Sequence, residues 1–130
     1  MLSAAPTETD SVALEYQAAL RRLSERDLTG ALEALGRFAT AHPEHPYADN
    51  ALYFRGEIHY AGHQWRAAID ELEQLVVRYP HGGRVADALL RIGMCWERLG
   101  DSARAERYFV RVRTEHPESS AARMAEREDT

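Results

Sequence analysis

The chain has 130 residues, 45% of them hydrophobic and 28% charged, which is enough to bury the core of one globular domain. Acidic residues outnumber basic ones, for a net charge of −5, and no basic block stands out, so we expect no nucleic-acid partner. The apolar runs are far shorter than the roughly 20 residues that span a bilayer, so we expect no direct insertion into a membrane.

Residues 1–10 are predicted to be a flexible tail. Apolar residues then recur with helical spacing, and no segment alternates with period two for long enough to form a strand. The spacing predicts helices over residues 11–24, 28–41, 47–61, 65–79, 84–99 and 103–115. The closing stretch "PESSAARMAERED" predicts one more helix, which caps the array, before a second tail at 128–130. We therefore predict an all-α domain over residues 11–127.

Proline recurs every 37 residues, at Pro43, Pro80 and Pro117, where each ring is expected to end a helix. The same offset aligns small residues with small ones and large apolar residues with large ones, as in Ala31, Ala68 and Ala105, and in Leu35, Leu72 and Phe109. The chain therefore contains three units of one helix hairpin, over residues 12–46, 49–83 and 86–120.

Gly56 lies in the middle of a predicted helix, in the stretch "NALYFRGEIHY", where glycine costs about 1 kcal/mol relative to alanine. The 37-residue offset maps Gly56 onto Gly93 and back onto Ala19, so every unit has a small residue at this position. We predict that the two helices of a hairpin touch there. In the turn of the third unit, Asp101 or Ser102 is the expected N-cap of the next helix.

The third unit, "LLRIGMCWERLGDSARAERYFVRVRTEHP", resembles a tetratricopeptide repeat. The motif positions are Leu89, Gly93, Trp96, Gly100, Ala105, Phe109 and Pro117. The second unit departs from the pattern by placing His63 where the turn glycine is expected. The resemblance implies three hairpins stacked as a right-handed superhelix with a C-terminal capping helix. It also implies a protein–protein interaction scaffold that binds a peptide or protein in its concave groove.

A longer pattern, "FATAHPEHPYADNALYFRGEIHYAGHQWRAAIDELEQLVVRYP", is similar to the C-terminal domain of the periplasmic tetratricopeptide proteins of the Tol-Pal system, also called cell division coordinators. Related repeats with long connectors also occur in outer-membrane assembly lipoproteins and in other bacterial scaffolds. The resemblance implies a periplasmic protein that binds partners of the envelope constriction machinery. The first residues, "MLSAAPTETD", lack a signal peptide, so a full-length chain with this start is expected in the cytoplasm.

Helical spacing separates two stripes on the first helix of the second unit. The stripe with Gly56 is expected to face the partner helix, and the other, by the resemblance, lines the groove with rings and amides that suit peptide recognition. The residues predicted to bind a protein partner are Tyr16, Asn50, Tyr53, Phe54, Glu57, Tyr60, Asp87, Arg91, Met94 and Arg98. Leu20, Leu23 and Leu90 are expected to pack between repeats, and for Phe54 both interpretations stay open.

No catalytic, cofactor-binding or metal-binding residue is predicted. His59 and His63 are four residues apart, but no cysteine or carboxylate completes a metal site at motif spacing, and the lone Cys95 matches no redox pair. Glu71 and Glu73 point to different sides of a helix, and we expect both to be solvated. An enzyme is therefore not expected. Two function classes remain open: an adaptor that uses its groove, and a structural module that self-associates through its stack ends or convex face.

Overall fold

The computed structural model describes residues 8–128, with side chains from residue 11 onward. Within that range the chain forms α-helices and no strand: α1 (Glu8–Ser24), α2 (Leu28–Ala41), α3 (Ala48–Ala61), α4 (Trp65–Arg78), α5 (Val85–Arg98), α6 (Ser102–Glu115) and α7 (Ser120–Glu128). Each helix packs on the next in chain order, and α7 also packs on α5. The predicted all-α array of three hairpins with a helix at its C-terminal end is confirmed.

The observed helix boundaries agree with the predicted ones to within one residue, except at the start of α1. This helix begins at Glu8 rather than at residue 11, so residues 8–10 are helical and do not belong to the predicted tail. At the other end, α7 reaches Glu128, one residue into the predicted second tail. Predicted tail residues 1–7 and 129–130 lie outside the described range.

Aspartate side chains start two of the second helices. The carboxylate of Asp27 accepts a hydrogen bond from the backbone N–H of Gly30, and that of Asp101 accepts one from the backbone N–H of Arg104, each at 3.0 Å. Such bonds satisfy one of the backbone donors that a helix start leaves unpaired. Of the two N-cap candidates for α6, Asp101 is therefore the cap, and the other is the first helical residue.

Three helices end at the recurring prolines. The residues before these prolines, His42, Tyr79 and His116, leave the helical conformation with φ angles of −130°, −127° and −135°. A proline ring disfavours the helical conformation in the residue before it, because the two would clash. The 37-residue period of the sequence is therefore also a period of the backbone.

Each hairpin turn contains one residue in the left-handed conformation, again at 37-residue spacing. The φ angles are 64° at Arg26, 59° at His63 and 82° at Gly100. This conformation brings the Cβ atom of a residue close to a neighbouring carbonyl oxygen, and glycine has no Cβ atom. His63 therefore stands in the backbone conformation that the motif gives to glycine, with a steric cost that Gly100 avoids.

Gly56 and Gly93 are contact points within the hairpins. A Cβ atom added to Gly56 would lie 2.6 Å from Cγ of Leu72 on α4, and one added to Gly93 would lie 2.5 Å from Cε1 of Phe109 on α6. Carbon atoms in ordinary contact are about 3.5–4.0 Å apart, so neither position has room for a side chain. Ala19, the equivalent in the first hairpin, is fully buried. The prediction that hairpin helices touch at this position is confirmed.

Each hairpin contributes the same positions to the core. The repeated core residues of the second helices are at most 2% exposed: Ala31, Leu35, Ala68, Leu72, Ala105 and Phe109. In α7, Ala121 and Ala125 are at most 1% exposed, whereas Glu126 and Glu128 are exposed as predicted. Because the buried residues of α7 are all alanines, α7 lies close to α5 and α6 and caps the core.

Arg55 joins three helices, a contact that the sequence analysis missed. From α3, its guanidinium donates to the backbone carbonyl of Leu32 on α2 and to the carboxylate of Glu71 on α4, the latter at 2.7 Å. Gly36 leaves room for this side chain, since a Cβ atom there would lie 2.6 Å from Nη1 of Arg55. The Glu71 side chain is only 13% exposed, so the prediction that it is solvated is wrong.

Glu73 lies two residues further along α4 and points to another side of the helix, as its spacing predicted. Its carboxylate accepts a hydrogen bond from the hydroxyl of Tyr108 on α6, at an O–O distance of 2.5 Å. The bond joins the second helices of two successive hairpins. Glu73 is therefore partly buried and hydrogen-bonded to another hairpin, so the predicted solvated position holds only in part.

Candidate protein-binding surface

Side chains of α3 and α5, the first helices of the second and third hairpins, contact each other directly along one surface. We call this surface the groove face. Its members are Asn50, Tyr53, Phe54, Glu57 and Tyr60 of α3, and Arg84, Asp87, Arg91 and Met94 at the start of and along α5. It unites eight of the ten residues that the sequence predicted for binding.

The centre of the groove face is an ion pair between Glu57 and Arg91. The guanidinium donates from Nε to Oε1 at 2.6 Å and from Nη2 to Oε2 at 2.9 Å, and the two side chains are 29% and 24% exposed. Burial lowers the pKa of Arg91, but the hydrogen bonds and charge of Glu57 outweigh burial, so the net shift is upward. The guanidinium therefore keeps its charge, and its contact with Glu57 is bidentate, which is a strong form of such a contact.

Two neighbouring side chains pack around Arg91. Its guanidinium carbon lies 4.2 Å from the ring centroid of Tyr60, and Nη1 lies 3.7 Å from Sδ of Met94. A cation over an aromatic ring is attracted by the electron-rich face. Tyr60 and Met94 therefore fix the orientation of Arg91. Surface that they bury against Arg91 is not available to a partner.

Arg84 anchors the other end of the groove face. Its Nε donates to Oδ1 of Asn50 at 2.8 Å, and its guanidinium lies 4.7 Å from the ring centroid of Tyr53 and 5.6 Å from that of Phe54. An ion pair of 3.5 Å with Asp87 completes the arrangement. Phe54, for which packing and binding both stayed open, is partly buried beneath this cation.

Arg84 was not among the predicted binding residues. It is the first residue of the predicted helix over residues 84–99, and in the structure it is the N-cap residue directly before α5. Helical register would have identified it, because it lies seven residues before Arg91 and seven residues return to the same face of a helix. The residue that begins α5 therefore belongs to the groove face together with Arg91.

Tyr16 does not lie on the groove face. It is only 6% exposed, and its ring packs against Phe38 at 5.3 Å and Tyr47 at 4.7 Å between centroids. Burial raises the pKa of Tyr16, and the side chain of Asn50 partly offsets the rise. Tyr16 is thus a packing residue next to the groove face, because the connector residue Tyr47 covers it.

Arg98 is exposed and lies apart from the other predicted residues. Its guanidinium carbon is 5.6 Å from the ring centroid of Trp65, which is stacked with His63 at 5.0 Å and packs edge-to-face with Tyr60 at 5.0 Å. His63 and Trp65 lie at the turn of the second hairpin, next to Tyr60 at the end of α3. Arg98 therefore extends the surface toward that turn.

Among residues 8–128, no group of three potential metal-ligating side chains is close enough to hold an ion. His59, one of the two histidines considered, is within hydrogen-bonding distance of Gln64, at 2.9 Å, while His63 stacks on Trp65. In the same described part of the chain, no helix has the length and apolar character needed to cross a membrane.

A family model described as "Tetratricopeptide repeat" matches residues 53–120, more than half of the chain, and these residues contain both glycine contacts and most of the groove face. The chain belongs to the tetratricopeptide repeat family. The family accounts for the stacked hairpins, and tetratricopeptide domains are protein-interaction scaffolds that bind protein or peptide partners.

Among solved structures, the tetratricopeptide chain is similar to the N-terminal domain of stress-induced protein-1 (STI-1) from C. elegans. The TM-score is 0.77, and the match covers 98% of this chain and 100% of the other. Sequence identity is 15%, so this likeness shows the fold alone. It supports the superhelical stacking of the hairpins.

Curated relatives of this tetratricopeptide chain include outer membrane protein assembly factor BamD from Neisseria meningitidis serogroup B, 27% identical over 82% of this chain and 47% of the relative. The same factor from Neisseria gonorrhoeae is 31% identical over 62% of this chain and 38% of the relative. The chain thus spans less than half the length of these relatives.

Proposed function

We propose that this chain is a non-catalytic scaffold that binds a peptide or protein partner on the groove face. The observation that supports this most directly is the arrangement around Arg84, whose side chain is 33% exposed. Asn50 and Tyr53 of the neighbouring hairpin already hold its guanidinium. A cation that is fixed before binding loses little conformational freedom when a partner arrives, so it is a suitable anchor.

The groove face favours a partner segment with an acceptor and an apolar side chain next to each other. The acceptor, a carboxylate or backbone carbonyl, would take the free hydrogen-bonding capacity of Arg84. The apolar side chain would lie against Tyr53 and Phe54, both partly exposed. Arg91 is a poorer anchor, because Glu57 already accepts two of its hydrogen bonds.

The proposal is tested with a photo-crosslinking amino acid in place of Tyr53 in native cells. The matched control places it at Val77, a 78% exposed residue of α4. We expect a discrete crosslinked partner from position 53 that is absent from position 77. A chain that crosslinks equally at both positions, or at neither, contradicts binding on the groove face.

A second measurement separates binding from folding. Asn50→Ala removes the acceptor for Arg84 at a partly buried position, so we expect the crosslink yield to fall several-fold while the unfolding midpoint changes little. If crosslink yield and melting temperature fall together, Asn50 supports the fold and not a partner.

We also propose that the scaffold works in assembly of the bacterial cell envelope, and therefore in the periplasm. The support is the similarity to relatives named outer membrane protein assembly factor BamD. A role in the Tol-Pal system and cell division stays a prediction from the longer sequence pattern. Fractionation of native cells tests the compartment: recovery with the periplasm or outer membrane is expected, and recovery in the cytosol alone contradicts the proposal.

Self-association is the second candidate, favoured by two exposed leucines on the first hairpin. Leu14 is 55% exposed and Leu28 is 46% exposed. If the first hairpin pairs with a second copy, sedimentation velocity should show a concentration-dependent dimer that Leu14→Gln weakens. If the chain remains monomeric at high concentration, self-association is contradicted and the adaptor is the remaining function.

A further inference from the structure

A cavity of about 560 Å³ lies on the side of the array made by the second helices of the hairpins. We call it the arginine pocket. Four arginines line it, Arg66 from α4 and Arg104, Arg107 and Arg111 from α6, together with Trp96, Tyr108 and Glu73. None of these residues belongs to the groove face, so the pocket is a separate site.

Two of these guanidinium groups lie over the indole ring of Trp96. The guanidinium carbons of Arg104 and Arg66 lie 4.7 Å and 5.6 Å from the centroid of the indole ring. Both cations are thereby directed to one aromatic platform, although they belong to different hairpins. Positive charges that would otherwise spread into solvent are thus concentrated at one place.

The bond between Tyr108 and Glu73 forms part of the lining. Burial raises the pKa of Tyr108 to about 12, and the hydrogen bond to Glu73 adds to the rise, so the hydroxyl remains a donor at neutral pH. The carboxylate of Glu73 therefore already has a donor, at 2.5 Å. It is the one acidic group among the lining residues.

The pocket keeps an excess of positive charge after its ion pairs are counted. Arg104 pairs with Asp101 at 3.4 Å, and Arg111 pairs with Glu115 at 3.1 Å. Arg66 and Arg107 form no ion pair with any residue in the described range. Arg66 lies over the indole and Arg107 belongs to the same lining, and these two cations outnumber the single carboxylate of Glu73. In a chain whose net charge is −5, the pocket is therefore a local site of opposite sign.

We propose that the arginine pocket binds an acidic segment of a partner protein. Two carboxylates would pair with Arg66 and Arg107, and the segment between them would lie on the indole of Trp96. Guanidinium groups match carboxylates in geometry, and tryptophan and arginine are enriched among the few residues that supply most of the binding energy of protein interfaces. Nucleic acid fits less well, because the positive patch is confined to one pocket and the chain as a whole is acidic.

The test is a titration with hexaglutamate, blocked at both ends, at low ionic strength. The chain has two tryptophans, so two indole N–H signals are expected in NMR spectra, and binding in the pocket should shift the signal of Trp96 and leave that of Trp65 in place. The variant R66Q/R107Q should weaken hexaglutamate binding about tenfold. The matched control R21Q/R123Q changes net charge equally at two exposed sites outside the pocket, and should weaken it by less than about twofold.

Equal weakening in the two double variants would mean that hexaglutamate senses only overall charge, which overturns the proposal. No shift of the Trp96 signal overturns it too. If inorganic phosphate or single-stranded DNA shifts that signal at the same concentration as hexaglutamate, the assignment to an acidic peptide is wrong. The Tyr53→Ala variant should bind hexaglutamate normally, because Tyr53 lies outside the arginine pocket. The variant therefore tests binding in the pocket separately from binding on the groove face.

Discussion

The guanidinium of Arg91 donates two hydrogen bonds to the carboxylate of Glu57, and this pair spans successive hairpins, 34 residues apart in the chain. Both side chains are less than one third exposed, so solvent screens the attraction only in part. The pair fixes the spacing of α3 and α5. It therefore contributes to the shape of the groove face as well as to stability.

A double-mutant cycle with Glu57→Gln and Arg91→Gln should give a coupling energy of about 1 kcal/mol, measured by urea unfolding. The control cycle uses Glu33 and Arg37, an exposed pair at 4.0 Å, for which we expect a coupling energy below about 0.3 kcal/mol. If both cycles give the same coupling, the contact between Arg91 and Glu57 does not stabilise the packing of the hairpins.

Alanine at the hairpin contacts should destabilise the fold although alanine favours helices. Gly56→Ala and Gly93→Ala each introduce a Cβ atom that would lie 2.5–2.6 Å from a core side chain, so we expect a loss of about 1–3 kcal/mol in the free energy of unfolding. Gly83→Ala is the control, since its Cβ atom would meet nothing within 4 Å. Equal unfolding midpoints for the three variants would contradict the close contact of the helices.

Glycine in the left-handed turns should stabilise the chain. Arg26→Gly relieves a φ angle of 64° at an exposed side chain, and we expect a gain of about 0.5–1 kcal/mol. Gly100→Ala, at a φ angle of 82°, should cost about 1 kcal/mol. The control is Gly62→Ala, because its φ angle is −86° and an alanine is unstrained there. Thermal unfolding measures all three, and a destabilised Arg26→Gly variant would refute the strain.

Stability should fall at alkaline pH partly through Tyr108. Its pKa is 10.0 without perturbation and about 12 in the folded chain, where burial and then Glu73 raise it. The folded state therefore holds the proton more tightly, so this stabilisation is fully present below pH 10.0 and is lost as the pH rises toward 12. We expect Tyr108→Phe to lose less stability over that interval than the parent chain, measured as urea midpoints against pH. Parallel curves would contradict the shift.

The helices were predictable because local signals define them. Apolar spacing marks the buried side, proline ends three helices, and Asp101 caps the start of one of these, α6, so each boundary depends on residues close to it in the chain. The glycine contacts were predictable for the same reason, since the 37-residue offset aligned Gly56 with Gly93. Repetition thus carried the fold from sequence to structure.

The errors concern contacts between residues far apart in the chain, which no local pattern encodes. Tyr16 shares a stripe type with Tyr53, but the ring of Tyr47 in the connector covers it. Glu71 resembles any surface carboxylate in sequence, yet Arg55 reaches it from another helix. Helical spacing predicts the side of a helix on which a residue lies, and only the packed neighbours determine whether that side is open.

The two ends of the array differ, because α7 covers the C-terminal end. Ala125 of α7 is the 37-residue equivalent of Ala51 in α3 and Ala88 in α5, and all three are fully buried. The position where the first helix of a fourth hairpin would pack is therefore already filled by α7. At the opposite end the equivalent position is Leu14, which is 55% exposed. An engineered extra hairpin should consequently pack on the array when it is added before α1. Added after α6, it should not pack, because it would have to displace α7.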